Sequence, residues 1–381
     1  MSALNAFAYG LSSIYNNFSQ IYIRTYHGTV ETGLLLSIGP IVAMAAPFLW
    51  GMLADRARSR KSVFLAVTAG SAVGFAMLGF SRSFWSMAVS LLIFMFFFSP
   101  LTGLNDLLSV EGCAVSGADY GRRRIFGTLF YGLLPLAIAP ITQRDINFIF
   151  VAYGLVTALC AVSVFPVPER TAEKKNVAET HTPAEQRKDR RFYSVVFHDR
   201  KLIMMLLMAF VANFSFACVL IYYPEYLTST LGLPQSSWAA VVMATVIGEI
   251  PLFLFYDKIV KRLGIKYMLL IGLTLSMLRM ASYMVFRSSA LIIITSAVTG
   301  FGITLLTYSI LIYVTENYER GRRSKVMNFI YGLGTYAPRA LAGIAAGGFV
   351  NLFGVPSLML AASVMSAASF VFYIVFVRSG S

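Results

Sequence analysis

Apolar runs of about twenty residues, separated by short polar turns, recur along the whole chain. A run of that length crosses the ~30 Å hydrocarbon core of a bilayer as one helix. A helix suits the task because it satisfies its own backbone N–H and C=O groups where no water can. Twelve runs are legible: 4–25, 31–53, 62–80, 84–110, 122–142, 146–166, 201–229, 236–256, 266–286, 289–315, 325–350 and 355–377. They are interrupted once, by VPERTAEKKNVAETHTPAEQRKDRRFYSVVFHD at 167–199, which is polar, mixed in charge and carries prolines. Such a stretch reads as a flexible linker, with 191–198 expected as a short interfacial helix. The composition agrees: 57% of the residues are apolar or aromatic and 13% are charged, about half the charged share of a soluble domain.

The net charge of +14 would suggest nucleic acid in a soluble protein. Here its placement explains it. Of 31 Lys and Arg, 25 fall in the turns on one face, the linker and the tail. Only Arg24, Arg82, Arg144 and Arg287 fall in the turns on the other. Basic residues collect on the cytoplasmic side, so both termini and the 167–199 linker are expected there. The chain is then a multi-pass protein of the cytoplasmic membrane, with lipid as its surroundings and no nucleic-acid partner. Cys113, Cys160 and Cys218 lie in or beside apolar runs without motif spacing, so neither disulfide framework nor metal site is expected.

Five charges lie inside the runs: Asp106, Glu249, Arg279, Arg339 and Arg124, which sits near the start of its run and is counted above with the turn that precedes it. An ionisable group at the bilayer centre costs about 2.5–3.5 kcal/mol on insertion scales, so it usually faces a polar cavity or a partner. Asp106 and Arg124 are eighteen residues apart across the short turn Ser116–Asp119, so their two helices are antiparallel neighbours and the two charges can meet. This pair reads as half of a solute site, or else as a structural tie between two helices. Tyr131, seven residues past Arg124, lies on the same helix face and can stack on a sugar or aromatic solute, or simply pack. Glu249 in GEIP is a proton carrier or a helix pin; Arg279 and Arg339 lie in the ninth and eleventh runs. A buried acid whose arginine partner comes and goes has a proton affinity that depends on conformation. In the first run, Asn16, Asn17 and Gln20 are too polar for lipid; they line a cavity or bond neighbouring helices.

A second pattern follows the second run: Gly51-Met-Leu-Ala-Asp55-Arg56-Ala-Arg-Ser-Arg60-Lys61. The glycine permits close helix approach, and the acid followed by bases makes an ion-pair latch at the membrane face. A degenerate copy, from Asp257 through Arg262, stands at the matching place between the eighth and ninth runs. GMLADRARSRK resembles the signature of the major facilitator superfamily of transporters, although Arg58 or Ser59 replaces the glycine usual within its basic turn. That resemblance implies an all-α membrane protein of twelve transmembrane helices in two pseudo-symmetric six-helix bundles. The bundles would be 1–166 and 200–381, joined by the cytoplasmic linker 167–199.

ADYGRRRIFGTLFY, with Asp106 eighteen residues before Arg124, further resembles the entry to span five in the lactose permease group of proton symporters and in the related phenylpropionate permeases. The resemblance implies that Asp106 and Arg124 bind solute, that Tyr131 stacks on it, and that Glu249 and Arg279 take part in proton coupling together with Asp106. One departure matters. The Lys, His and Glu set of lactose permease falls on Ser296, Thr299 and Gly302, and its paired aspartates fall near Ala217 and Leu220. Proton coupling would then rest on Glu249 or Asp106, or be absent. The expected function is secondary active transport of a small organic solute, a sugar or an aromatic or other organic carboxylate, by alternating access with proton symport. The rivals are a proton-coupled efflux antiporter and an uncoupled facilitator. An enzyme is not expected: no span holds a histidine, and no convergent nucleophile, metal set or phosphate-cradling glycine loop is present. No cofactor is expected, and the protein is read as a monomer.

Overall fold

The computed structural model describes residues 1–168, 199–234, 236–318, 326–327 and 329–379. Nearly all of the linker, including the helix expected at 191–198, therefore lies outside the described residues. The first half comprises α1 (Ser2–Tyr26), α2 (Thr29–Ala43), α3 (Ala46–Arg56), α4 (Arg60–Phe80), α5 (Phe84–Phe98), α6 (Leu101–Ser116), α7 (Tyr120–Thr142) and α8 (Phe148–Val164). The second comprises α9 (Arg200–Glu225), α10 (Ser236–Val285), α11 (Ser289–Asn317) and α12 (Ala337–Ser379). Single π-helical turns, Tyr226–Thr230 and Gly332–Tyr336, follow α9 and precede α12.

These elements make twelve passes, because some passes are broken and some helices hold two. The second pass is α2 plus α3, interrupted at Met44-Ala45 ahead of Pro47. The fourth is α5 plus α6, interrupted at Ser99-Pro100. Proline lacks the N–H that would continue the ladder. Conversely, α10 runs through two passes, its backbone leaving helical geometry at Phe255 and Gly264, and α12 turns at Gly354. Gly264 and Gly354 take φ of 66° and 80°, a region that favours glycine. Among the described residues, eight helical stretches are long and apolar enough to cross a membrane. The passes outside that set are α8 and the first pass of α10, which are short, and α1, which carries a polar stripe.

The stripe on α1 is buried in the first half, where Ser13, Asn17, Ser19 and Gln20 sit against neighbouring helices with Tyr15, Phe18 and Tyr22. An aromatic cluster of Tyr15, Phe75, Phe94, Phe98 and Tyr153 forms the middle of this half. The second half is tied at its base by Asp199, which caps α9 through the Leu202 N–H. The same carboxylate accepts from Tyr313 at 2.9 Å and Tyr318 at 2.8 Å.

The halves meet along two seams. In one, α2 crosses α12 so closely that a Cβ at Gly343 would stand 2.8 Å from the Gly33 carbonyl oxygen. Tyr222 Oη donates to the Thr29 carbonyl beside it. In the other, Gly132 of α7 receives Met243 and Val246 of α10. Arg24 of α1 and Glu225 of α9 form a two-pronged ion pair, both hydrogen bonds 3.1 Å long. The α2–α12 seam and the ion pair lie toward the face opposite the chain termini, so the molecule is closed on that face.

A side chain at Gly33 cannot fit without parting α2 from α12. Gly33→Leu is expected to raise the labelling rate of Gln20→Cys by a membrane-impermeant maleimide by about tenfold or more, the effect of a shift of ~1.4 kcal/mol in the closed-to-open balance. An unchanged rate would mean that the seam does not close this face.

Candidate functional site

The α6–α7 hairpin places the pair that the sequence spacing singles out. Gly117, at φ 67°, ends α6. Asp119 caps α7 by accepting from the Gly121 N–H at 2.8 Å. Four residues past Tyr120 the Arg124 side chain reaches across to α6. Its Nη1 donates to Asp106 Oδ2 at 2.6 Å and to Tyr120 Oη at 3.0 Å. Tyr9 of α1 completes the cluster: its hydroxyl donates to the Asp106 carboxylate at 3.3 Å, and its ring lies 4.7 Å from the Arg124 guanidinium carbon. Behind the acid, Asn105 donates to Asp106 at 3.4 Å and to Asn5 at 2.9 Å, and Asn5 donates to Ser109 at 3.0 Å. The charges are accessible, with 28% and 33% of the Arg124 and Asp106 side chains exposed.

Tyr131 lies about two turns farther along α7. Ser13 donates to its carbonyl at 2.6 Å, and Asn16 donates to its hydroxyl at 3.4 Å. Asn16 is exposed. Asn17 is turned inward, 2% exposed, and donates to the Ser13 carbonyl at 2.8 Å. Gln20 stands apart from both. It is 7% exposed and lines a cavity of about 440 Å³ with Arg24, Tyr222, Glu225 and Trp238, on the closed face.

Glu249 faces this cluster from the second half. The helix pair that carries it is packed through glycine: Gly248 of α10 meets Ala297 of α11, and Gly300 of α11 meets Thr245 and the Glu249 side chain. Arg124 acts on Glu249 electrostatically across the boundary between the halves. Tyr131 lies in the fields of both Glu249 and Arg339. Among the described residues Glu249 has no ion pair. Arg279 is 5% exposed, its guanidinium carbon 5.4 Å from the Phe216 ring. It lines a cavity inside the second half together with Arg339.

In the first basic turn, Arg60 reaches Asp55 at 3.3 Å and also pairs with Glu111 on α6. Lys61 donates to the Phe165 carbonyl at 3.0 Å. Arg56 is exposed, and a Cβ on Gly51 would meet no atom within 4 Å. In the second turn Arg262 is exposed, and the side chain of Asp257 lies outside the described residues.

The chain matches the MFS_1 like family over residues 1–361. It belongs to that family. It is therefore a multi-pass membrane transporter of the major facilitator fold. It is 23% identical over 344 residues to the uncharacterized transporter YwbF of Bacillus subtilis (strain 168), covering 89% of this chain and 83% of that one. It is 29% identical over 127 residues to a maltose permease of Geobacillus stearothermophilus, covering 33% and 32%. Among solved structures it is similar to a single-residue mutant of the nucleoside transporter NupG (TM-score 0.84, 16% identity, 98% of both chains). It is also similar to a bacterial homolog of the human lysosomal transporter Spinster, in an inward-facing and occupied conformation (TM-score 0.73, 11% identity, 99% and 95%). At these identities the structural likeness concerns the fold.

Sequence reasoning passed over Tyr9, Asn5 and Asn105. Tyr9 and Asn5 are four residues apart, hence on one face of α1, and Asn105 adjoins the acid. The stripe from Asn5 to Gln20 was the available signal. If Asp106 and Arg124 are one unit, removing one charge leaves the other uncompensated. Asp106→Asn and Arg124→Gln should each lower the melting temperature in detergent, by about 1–2 kcal/mol of stability given their partial exposure. The double variant should lose clearly less than the sum. Strict additivity would show that the two groups are not coupled.

Proposed function

We propose that this transporter carries a small organic solute, a sugar or an organic carboxylate, across the cytoplasmic membrane by alternating access and proton symport. The reading rests above all on one observation: Arg124 pairs with Asp106 in its own half and acts on Glu249 in the other. An arginine bonded to one carboxylate and within the electrostatic reach of a second can favour one at the expense of the other. When the halves rock, the field of Arg124 at Glu249 changes, and with it the affinity of that acid for a proton. Solute enters the same linkage by bonding to Asp106, Arg124 and Tyr131, with the exposed Asn16 of α1 beside the Tyr131 hydroxyl; the expected roles of Asn17, buried against Ser13, and of Gln20, on the closed face, are replaced by packing and by the cavity on that face. A proton moving down 100 mV contributes about 2.3 kcal/mol, which sustains a solute gradient of roughly fifty-fold.

Orientation follows from charge. The face with the termini and 25 of 31 basic residues is assigned to the cytoplasm. The closed face is then the outer one, and the solute site opens inward. The basic turns, with Gly51, Asp55, Arg56, Arg60 and Lys61 in the first half and Asp257 and Arg262 in the second, act as latches for the outward-facing state. The open space at Gly51 fits a disengaged latch. The names of two similar proteins, a maltose permease and a nucleoside transporter, support a hydroxylated solute. The excess of three intramembrane arginines over two acids supports a carboxylate. The resemblance to the lactose permease group supports proton coupling and a monomer.

A thermal-shift screen of the purified protein against sugars, nucleosides and small carboxylates identifies the solute. In proteoliposomes, an inward proton gradient should then drive its accumulation. Glu249→Gln should abolish that accumulation while solute exchange at equilibrium continues. Accumulation driven by an outward gradient would indicate an efflux antiporter. Equilibration insensitive to pH, in wild type and variant alike, would indicate a facilitator.

A further inference from the structure

The cavity inside the second half is built unlike the Asp106–Arg124 site. It has a volume of about 200 Å³, and its walls come from α9, α10, α11, the π-helical turn Gly332–Tyr336 with the residues before it, and α12. Most of the wall is apolar, with Met205, Met208, Phe216, Leu306 and Ile310 among its residues. Into this wall project two guanidinium groups, Arg279 and Arg339. No described residue that lines the cavity carries a carboxylate. The Nε–H of Arg339 is buried and has no hydrogen-bond acceptor among the described residues. Neutral acceptors, Asn213, Ser276, Thr307 and Thr335, are spread around the wall.

At Arg339 such an arrangement is incomplete by itself. A permanent cation in a low-dielectric cavity needs an anion, since a guanidinium does not lose its proton in proteins. An unused donor in a buried place, as at Arg339, has lost its water without gaining a partner. Arginine binds carboxylates through two parallel N–H donors, so a carboxylate satisfies charge and donor together. The backbone gives the same indication. Arg339 follows a π-helical turn and Pro338, a local irregularity of a kind frequent at functional sites. The volume lies below the roughly 300–1,000 Å³ of drug-sized sites, which restricts the ligand to a small molecule.

We propose that this cavity binds the anionic end of the transported solute, and that the solute is a small monocarboxylate with an apolar body. The proposal rests on the transporter reading above and narrows its substrate class. Arg339 and Arg279 hold the carboxylate, and the Met, Phe, Leu and Ile wall takes the body. Arg339 also lies within electrostatic reach of Tyr131 across the boundary between the halves.

The test uses the full-length protein in detergent and two probes of the same shape, benzoate and benzyl alcohol. Benzoate should raise the melting temperature in a saturable way, and benzyl alcohol at equal concentration should not. Arg339→Gln should weaken benzoate binding by about tenfold or more, the scale of a lost charge-assisted pair. Arg339→Lys, which keeps the charge, should restore part of it and guards against a variant that simply fails to fold. Equal stabilisation by both probes, or unchanged benzoate binding in Arg339→Gln, would overturn the assignment. Proteoliposomes separate the two readings. Benzoate that binds through Arg339 but is not transported would refute the substrate class while leaving the transporter reading untouched. Proton-driven transport of a neutral sugar without any benzoate binding would do the same.

Discussion

The ion pair between Arg124 and Asp106 is the interaction on which the arrangement of the first half depends. Neither charge could stay in a bilayer alone at acceptable cost. Together they fix the α6–α7 hairpin, and they draw α1 into the cluster through the hydroxyl and ring of Tyr9. The asparagines behind Asp106 extend the same network to Ser109. Much of the polar stripe that makes α1 the wrong composition for lipid is thereby accounted for: Asn5, Tyr9, Ser13, Asn17 and Ser19 spend their polar groups in hydrogen bonds within the first bundle, while Gln20 turns to the cavity on the closed face.

The two halves are joined differently. Between them lie glycine contacts, the Tyr222–Thr29 hydrogen bond and one partly exposed ion pair, Arg24 with Glu225. Small residues let backbones approach without committing large apolar areas, so such seams can part and re-form. A pair that keeps about a third of each side chain in contact with solvent is partly screened, so it contributes less than a fully buried one. Strong bonding within each half and weak bonding between them is what a rocking motion of rigid bundles requires. The second half adds a cavity lined by two arginines, one of which, Arg339, lies within electrostatic reach of Tyr131 in the first half.

Much of this was legible in the chain. Run lengths gave the passes, because the hydrocarbon thickness sets the length of an apolar helix. The eighteen-residue spacing of Asp106 and Arg124 gave their meeting, because a short turn forces neighbouring helices antiparallel. Other features were not legible. Seam glycines such as Gly33 and Gly343 look like any glycine until the partner helix is known. Tyr9 was hidden because an aromatic in a span is ordinarily packing. The shared cavity of Arg279 and Arg339 joins residues 60 positions apart in two different passes, and no local pattern in the sequence announces it.

The relation between Glu249 and the movement of the halves is tested most directly by distance. Spin labels at Ser116→Cys and Asn317→Cys, both exposed at the face of the termini, report the opening between the halves by pulsed electron paramagnetic resonance; Cys113, Cys160 and Cys218 are buried. If the attraction between Arg124 and Glu249 draws the halves together, acid pH should enrich the longer distances in the wild type. Glu249→Gln, which imitates the protonated acid, should show the longer distances at every pH. A distance distribution that keeps its pH dependence in the variant, or that lacks it in the wild type, would contradict a role for Glu249 in coupling protonation to the motion of the halves.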